Sequence, residues 1–321
     1  MPRRDYRQMT FADTMAQGRG RERKRLAKLD EMAGLLDWLA IERIMEGINA
    51  ARRGAEGYPP VCMFRALLLA QWYDLSDPKL EDALSDRLSF RRFVGIPLGE
   101  ETPDETSFVR FRSKLRELGL YEKLFAEING QLEKQGLMVK TGTLVDATII
   151  EARAKPPRSK EDEVSSVDPD AGFTTKRGKS WFGYKLHIGA DEGSGLIRQI
   201  ETSSADLHDG EAFGGLVSGD EGAVYGDKAY GSQKNRDFLK RMKIRDQLMY
   251  KASRNRPLKP WQEWFNKAVS PIRSGVERVF GTGKTGYGLG KTRYFGEGRV
   301  AADHHAFAIA YNLRRALSLK G

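Results

Sequence analysis

The spacing of apolar positions along this 321-residue chain changes period near residue 139. Before that point it is helical. Leu29, Met32, Leu35, Leu36 and Leu39 recur at the three-four spacing of an amphipathic helix. Ser76-Asp77-Pro78 starts another, with a capping residue and then proline in the first turn. Thr102-Pro103-Asp104-Glu105 has capping-box spacing, which predicts Thr102 as N-cap and Glu105 at the third helical position. The helix it opens carries Phe108, Phe111, Leu115 and Leu118, with a basic face of Arg110, Arg112, Lys114 and Arg116. Residues 28–137 read as an all-helical domain.

From residue 139 the pattern becomes strand-like. Strands are predicted at 141–150, 182–190 and 195–202, with 153–180 a long exposed loop rich in Lys, Ser, Pro, Asp and Gly. A helix at 209–218, a strand at 222–227, a helix at 233–243 and a strand at 244–250 follow. Helices at about 261–281 and 299–317 complete the chain. Three strands, helix, strand, helix, strand, helix is the element order of an RNase H-like fold, a mixed sheet with helices on both sides. The expected fold class is thus α+β or α/β: a helical N-terminal domain, then an RNase H-like mixed-sheet domain at 138–321.

Three acids stand out against this pattern. Asp146 interrupts the apolar run Thr143–Ile150, Asp227 ends Ala223-Val224-Tyr225-Gly226, and Glu277 lies in the helical stretch Ser270–Phe280. A carboxylate at the end of an apolar strand is costly to desolvate, so it is normally paired, hydrogen-bonded or bound to a cation. Hard divalent ions take carboxylate and phosphate oxygens at phosphoryl-transfer sites. First and fourth strands are neighbours in this element order, which would join Asp146 to Asp227, 81 residues on, with Glu277 approaching from a flanking helix. Each acid alone also fits a turn, a cap or a surface pair. Arg273 and Glu277, four residues apart, share a helix face. Lys284, two turns further on, reaches a stretch where Gly281 and Gly283 suggest fraying.

Charge adds a partner class. The net charge of +10 is divided unevenly: residues 1–25 hold +5 and 251–321 hold +10, leaving −5 between them. A basic excess at both ends suits a polyanion, above all nucleic acid. Arg19, Arg21, Arg23, Lys24 and Arg25, in a polar arm at residues 1–27, are either a solvated tail or phosphate contacts indifferent to sequence. The helices with Arg110 and Arg112 suit a groove-reading module, although any surface helix can carry such charges.

The residues around the three acids resemble DDE transposases of bacterial insertion sequences, and more narrowly the insertion-sequence-five family, kin of the insertion-sequence-four group. Leu144-Val145-Asp146-Ala147-Thr148, Tyr225-Gly226-Asp227-Lys228-Ala229-Tyr230 and Arg273-x3-Glu277-x6-Lys284 carry the likeness, with Ala310–Arg315 near the C-terminus. It extends over roughly residues 30 to 318. One position departs: Ser270 stands where the family often has tyrosine. The resemblance implies catalysis by Asp146, Asp227 and Glu277 holding two Mg²⁺ ions, for which Mn²⁺ substitutes. It also implies DNA contacts from Arg273 and Lys284. Element inverted repeats and target DNA would be the partners, handled by a homo-oligomer that cleaves a strand and then joins its 3′-hydroxyl to target DNA. The rival readings are a nuclease of the same fold without strand transfer, and a transposase-derived DNA-binding regulator, which the three intact acids disfavour.

Other features narrow the field. Cys62 stands alone in Val61-Cys62-Met63-Phe64, which suits a buried apolar site and excludes a disulfide framework. Gly281-Thr282-Gly283-Lys284-Thr285-Gly286 mimics a phosphate loop, but a helix precedes it where a strand is required, so no nucleotide cofactor is expected. The histidines have no zinc spacing. His208-Asp209 shapes the site or caps the next helix, with capping assigned to Asp209. Trp261 and Trp264, near Arg254, Arg256 and Lys259, suit core packing or stacking on unpaired bases. With no apolar leader at the N-terminus and apolar runs as short as Ala66–Ala70, a cytoplasmic protein without membrane contact is expected.

Overall fold

The computed structural model describes residues 24–48, 57–157, 165–176, 178–253 and 256–321. Arg19, Arg21 and Arg23 of the predicted arm lie outside the described residues. Lys24 and Arg25 open helix α1 (Lys24–Ala33), so helix begins before the expected boundary at 27. Its sequence, KRLAKLDEMA, contains no glycine, proline or β-branched residue to oppose it. The chain divides into two compact units, one reaching Gln131 and including 316–321, the other spanning Leu132–Arg315.

The first unit is helical: α2 (Trp38–Ile44), α3 (Pro60–Tyr73), α4 (Asp77–Asp86), α5 (Leu88–Val94), α6 (Glu105–Glu117) and the start of α7 (Leu120–Lys134). Helix α3 is its hub, burying Cys62, Met63, Phe64, Ala66, Leu67, Leu68, Leu69 and Trp72 against α2, α4, α5 and α6. Burial pushes the Cys62 thiol up to about 12, so it is a packing residue and no nucleophile. The N-cap of α6 is Asp104 rather than Thr102. Asp104 Oδ1 accepts from the Ser107 amide at 2.7 Å, while Thr102 Oγ1 pairs with Ser85 Oγ at 2.9 Å. A carboxylate answers both the open amides and the positive end of the helix dipole, which a hydroxyl does less well. Leu118 falls past the end of α6 and is exposed.

The second unit holds a six-stranded mixed sheet built from β1 (Thr143–Glu151), β2 (Gly172–Lys176), β3 (Lys179–Asp191), β4 (Ile197–Ser204), β5 (Ala223–Gly226) and β6 (Arg245–Leu248). β3 lies antiparallel to β1, β1 parallel to β5, and β5 parallel to β6. On its other edge the long β3 pairs first with β2 and then with β4. The handover occurs at Gly183, with φ +153°, where a Cβ would run into Ile150 O and Ala152 N. The order β4-β3-β1-β5-β6 is that of an RNase H-like sheet, and it makes the first strand neighbour to the strand after the meander. Helices α8 (Gln233–Met242), α9 (Pro260–Arg273), α10 (Gly275–Gly286) and α11 (Glu297–Lys320) complete the chain. Asn312, fully buried on α11, accepts from Ile197 N at 2.8 Å and donates to Ile197 O at 2.7 Å, tying the helix to β4.

Four expectations are corrected here. The loop predicted at 153–180 contains β2, because Phe173 and its neighbours find a partner in the start of β3. The helix predicted at 209–218 is only a 3-10 turn, Ala212–Leu216, since Gly210, Gly214 and Gly215 weaken a helix. It survives by burying Phe213 and Leu216 in the core with Val145, Val224, Tyr230, Leu239 and Leu248. The helix predicted at 261–281 is two, α9 and α10, broken at Ser274: Pro271 lacks an amide, Ser274 Oγ donates to Pro271 O at 2.7 Å, and Gly275 follows. Beyond the break α10 does not fray at Gly281 but continues to Gly286, because Gly283 lets it pack closely on Leu289 and Phe307.

Candidate active site

Register brings the two aspartates together. Val145 pairs with Gly226 across the parallel strands β1 and β5, so Asp146 and Asp227 follow at the same level. Adjacent strands lie about 4.8 Å apart, and residues at one level share a face. Gly226 permits the approach: a Cβ there would stand 2.7 Å from Leu248 Cδ2 and 2.9 Å from Val145 Cγ2. Asp227 then turns the chain, its Oδ1 accepting from the Ala229 amide at 2.8 Å. Asp146 Oδ1 accepts from the Ala147 amide at 2.9 Å.

Glu277 sits in the first turn of α10, its side chain 62% exposed. Arg273, the last residue of α9, connects it to the sheet. One guanidinium nitrogen donates to Asp146 Oδ2 at 2.8 Å and the other to Glu277 Oε1 at 3.1 Å. Arg273 and Asp146 are both largely buried, at 17% and 19% exposure. Burial pushes the Asp146 carboxyl above its ordinary range, Arg273 opposes this, and the charge of Asp227 adds to it. Desolvated and facing a second carboxylate, Asp146 needs a counter-cation.

The donors suit a hard divalent cation, since all are carboxylate oxygens and one is starved of water. Among the described residues, however, no three of His, Cys, Asp or Glu stand close enough to share one ion. Glu277 meets Asp146 only across the guanidinium.

Other predicted contacts fall in varied surroundings. Lys284 is exposed on α10, its ammonium pKa lowered by desolvation and by the charge of Lys176. Arg112 is paired with Asp77 within the helical unit, while Arg110 is exposed and hydrogen-bonds to Thr106 O at 3.2 Å. Asp209 does not cap a helix; it pairs with Lys185 at 2.8 Å, since only the short 3-10 turn follows it. His208 Nδ1 instead accepts from the Gly210 amide at 3.1 Å. His187 and His304 are buried against Ser203 and Thr202, and desolvation holds their imidazoles down, to about 4 and about 3. Gly281–Gly286 is α-helical rather than a loop after a strand. Trp261 and Trp264 are 52% and 71% exposed, contrary to core packing; Arg254 lies outside the described residues.

Two site residues escape the sequence reading. Lys176, at the tip of β2, places its charge toward Asp146 and Lys284. Its loop gives no local sign of where it returns to the sheet. Tyr230 is fully buried, and its hydroxyl has no hydrogen-bond partner among the described residues although it faces Asp146, Asp209 and Asp227. A tyrosine after a turn reads as core, and only packing shows its hydroxyl at the acids.

Residues 138–313 match the family described as Transposase DDE domain, and residues 19–114 match the one described as Transposase domain (DUF772). A solved structure with some likeness is the cryo-EM structure of the piggyBac transposase synaptic complex with hairpin DNA. It has 12% identity and a TM-score of 0.45, over 92% of this chain and 74% of that one. No helix among the described residues is long and apolar enough to cross a membrane. With more than half of its residues inside the family match, this chain belongs to the Transposase DDE domain family.

Proposed function

We propose that this transposase is of the insertion-sequence-five type. It binds the inverted-repeat ends of its element and catalyses both strand cleavage and strand transfer by phosphoryl transfer. The observation that carries this reading is the convergence of Asp146 and Asp227 on adjacent parallel strand ends, with Arg273 linking Asp146 to Glu277. The DDE family implies divalent metal use, and two Mg²⁺ ions at Asp146, Asp227 and Glu277 would supply the positive charge that in-line displacement at phosphorus requires.

The chain's own residues do the rest. Backbone amides of Ala147 and Ala229 hold one oxygen of each aspartate carboxylate in place, while the other oxygen of Asp146 takes the Arg273 guanidinium. Lys176 sets a cation near Asp146 and Lys284 another near Lys176, and the two would steer a scissile phosphate toward the site. Arg110 and Lys284 are exposed enough to meet DNA, and the basic residues of the N-terminal sequence, Arg19 to Arg25, would add sequence-indifferent phosphate contacts. Holding two element ends at once calls for a homo-oligomer on DNA.

The deciding experiment incubates the purified chain with labelled element ends. Cleavage and joined products should form with Mg²⁺ or Mn²⁺ and be absent with EDTA. Full activity in EDTA would refute the reading, and cleavage without joined product would turn it into a nuclease.

A further inference from the structure

Arg273 occupies an unusual place for a residue expected to touch DNA. Its two terminal nitrogens are spent on two different carboxylates, Asp146 Oδ2 at 2.8 Å and Glu277 Oε1 at 3.1 Å. The guanidinium therefore stands between them, at 17% exposure, paired with both. A divalent ion bound by the same two oxygens would need them about 2.0–2.1 Å from its centre, which is far closer than a guanidinium allows. Ion and guanidinium cannot both fill that space. Glu277 is held across Arg273 from Asp146.

We infer that Arg273 is the displaceable counter-cation of this site, and that entry of a divalent ion and departure of the guanidinium are one coupled exchange. Without metal, Arg273 neutralises part of the charge on Asp146 and keeps Glu277 near. With metal, the two carboxylates close on the ion and the guanidinium swings out. The break at Ser274 gives it room: Arg273 ends α9, and Gly275 begins α10. Once released it becomes available to a DNA phosphate, to which its planar fork is suited. Metal and DNA then favour one another, since each is bound best by the state the other produces. This inference rests on Asp146, Asp227 and Glu277 being the metal ligands.

The test uses the full chain without DNA and reads Mn²⁺ binding by calorimetry for wild type, Arg273→Gln, Arg273→Lys and Asp227→Asn. Arg273→Gln removes the competitor and should bind Mn²⁺ about tenfold more tightly, equivalent to about 1.4 kcal/mol. Arg273→Lys keeps a charge that cannot span both acids, and should fall between the two. Equal or weaker Mn²⁺ binding by Arg273→Gln would overturn the exchange while leaving the ligand assignment intact, provided Asp227→Asn loses affinity. If Asp227→Asn binds as wild type does, the ligand assignment itself fails and the inference falls with it. A second readout needs no variant: phenylglyoxal labelling of Arg273, followed by peptide mass spectrometry, should speed up severalfold when Mg²⁺ is added to wild type. Unchanged labelling at saturating Mg²⁺ overturns the exchange as well.

Discussion

Replacing Asp227 by Asn should stabilise the metal-free protein, although it removes a residue on which the proposed chemistry depends. Asp146 and Asp227 stand at one level on adjacent strands, and Asp146 is largely buried. Two full charges about 5–6 Å apart repel by about 3 kcal/mol at an effective dielectric of about 20. Asp227 is half-buried and Arg273 already screens Asp146, so a net gain of about 1–2 kcal/mol is expected on removing the charge. Asn keeps an acceptor for the Ala229 amide and leaves the Arg273 pair with Asp146 intact. At about 2–4 °C per kcal/mol, the thermal midpoint should rise by about 2–8 °C. The assay is thermal unfolding of both forms in EDTA at low ionic strength and pH 7. The sign with pH follows from the raised Asp146 pKa. An acid whose native pKa lies above its unfolded value destabilises the fold once ionised, and this penalty fades as pH falls through the raised native value toward about 4. The gap between mutant and wild type should therefore close on acidification. Adding Mg²⁺ should stabilise the wild type and leave the variant little changed. An unchanged or lower midpoint for Asp227→Asn in EDTA would show that the two carboxylates do not repel, and would refute their placement.

Two further outcomes follow from the same geometry. Asp146→Asn should abolish strand cleavage while binding of element ends, measured by gel shift, stays within about threefold; retained Mg²⁺-dependent cleavage would remove Asp146 from the site. Gly226→Ala places a methyl among Leu248, Val145 and Tyr230, costing about 1–3 kcal/mol, and shifts Asp227 away from Asp146. Its cleavage rate should fall by more than its midpoint explains, and wild-type cleavage in this variant would show that the close approach of β5 is not needed.

Much of this protein is written in local pattern. The change of period near residue 139 marks where helices give way to strands, because side-chain spacing alone separates the two. Asp146 announces itself by interrupting an apolar strand, and the order of elements implies that the strand bearing Asp227 lies beside it. The parallel pairing of Val145 with Gly226 agrees. Local pattern fails where a distant partner decides. Capping spacing favours Thr102, but Asp104 offers the better acceptor to the same amides. A helical period runs unbroken through Pro271 and Gly275, and only the chain's path past β1 shows the break that frees Arg273 to turn inward. Lys176, Tyr230 and the exposed tryptophans likewise take their roles from where the chain returns. Sequence alone determined that the three acids fall on one strand, at the end of another and on a helix, because residue type and periodicity are local. Tertiary structure decided that Arg273 stands among the acids, because its bond to Asp146 joins residues 127 positions apart and no local pattern encodes that distance.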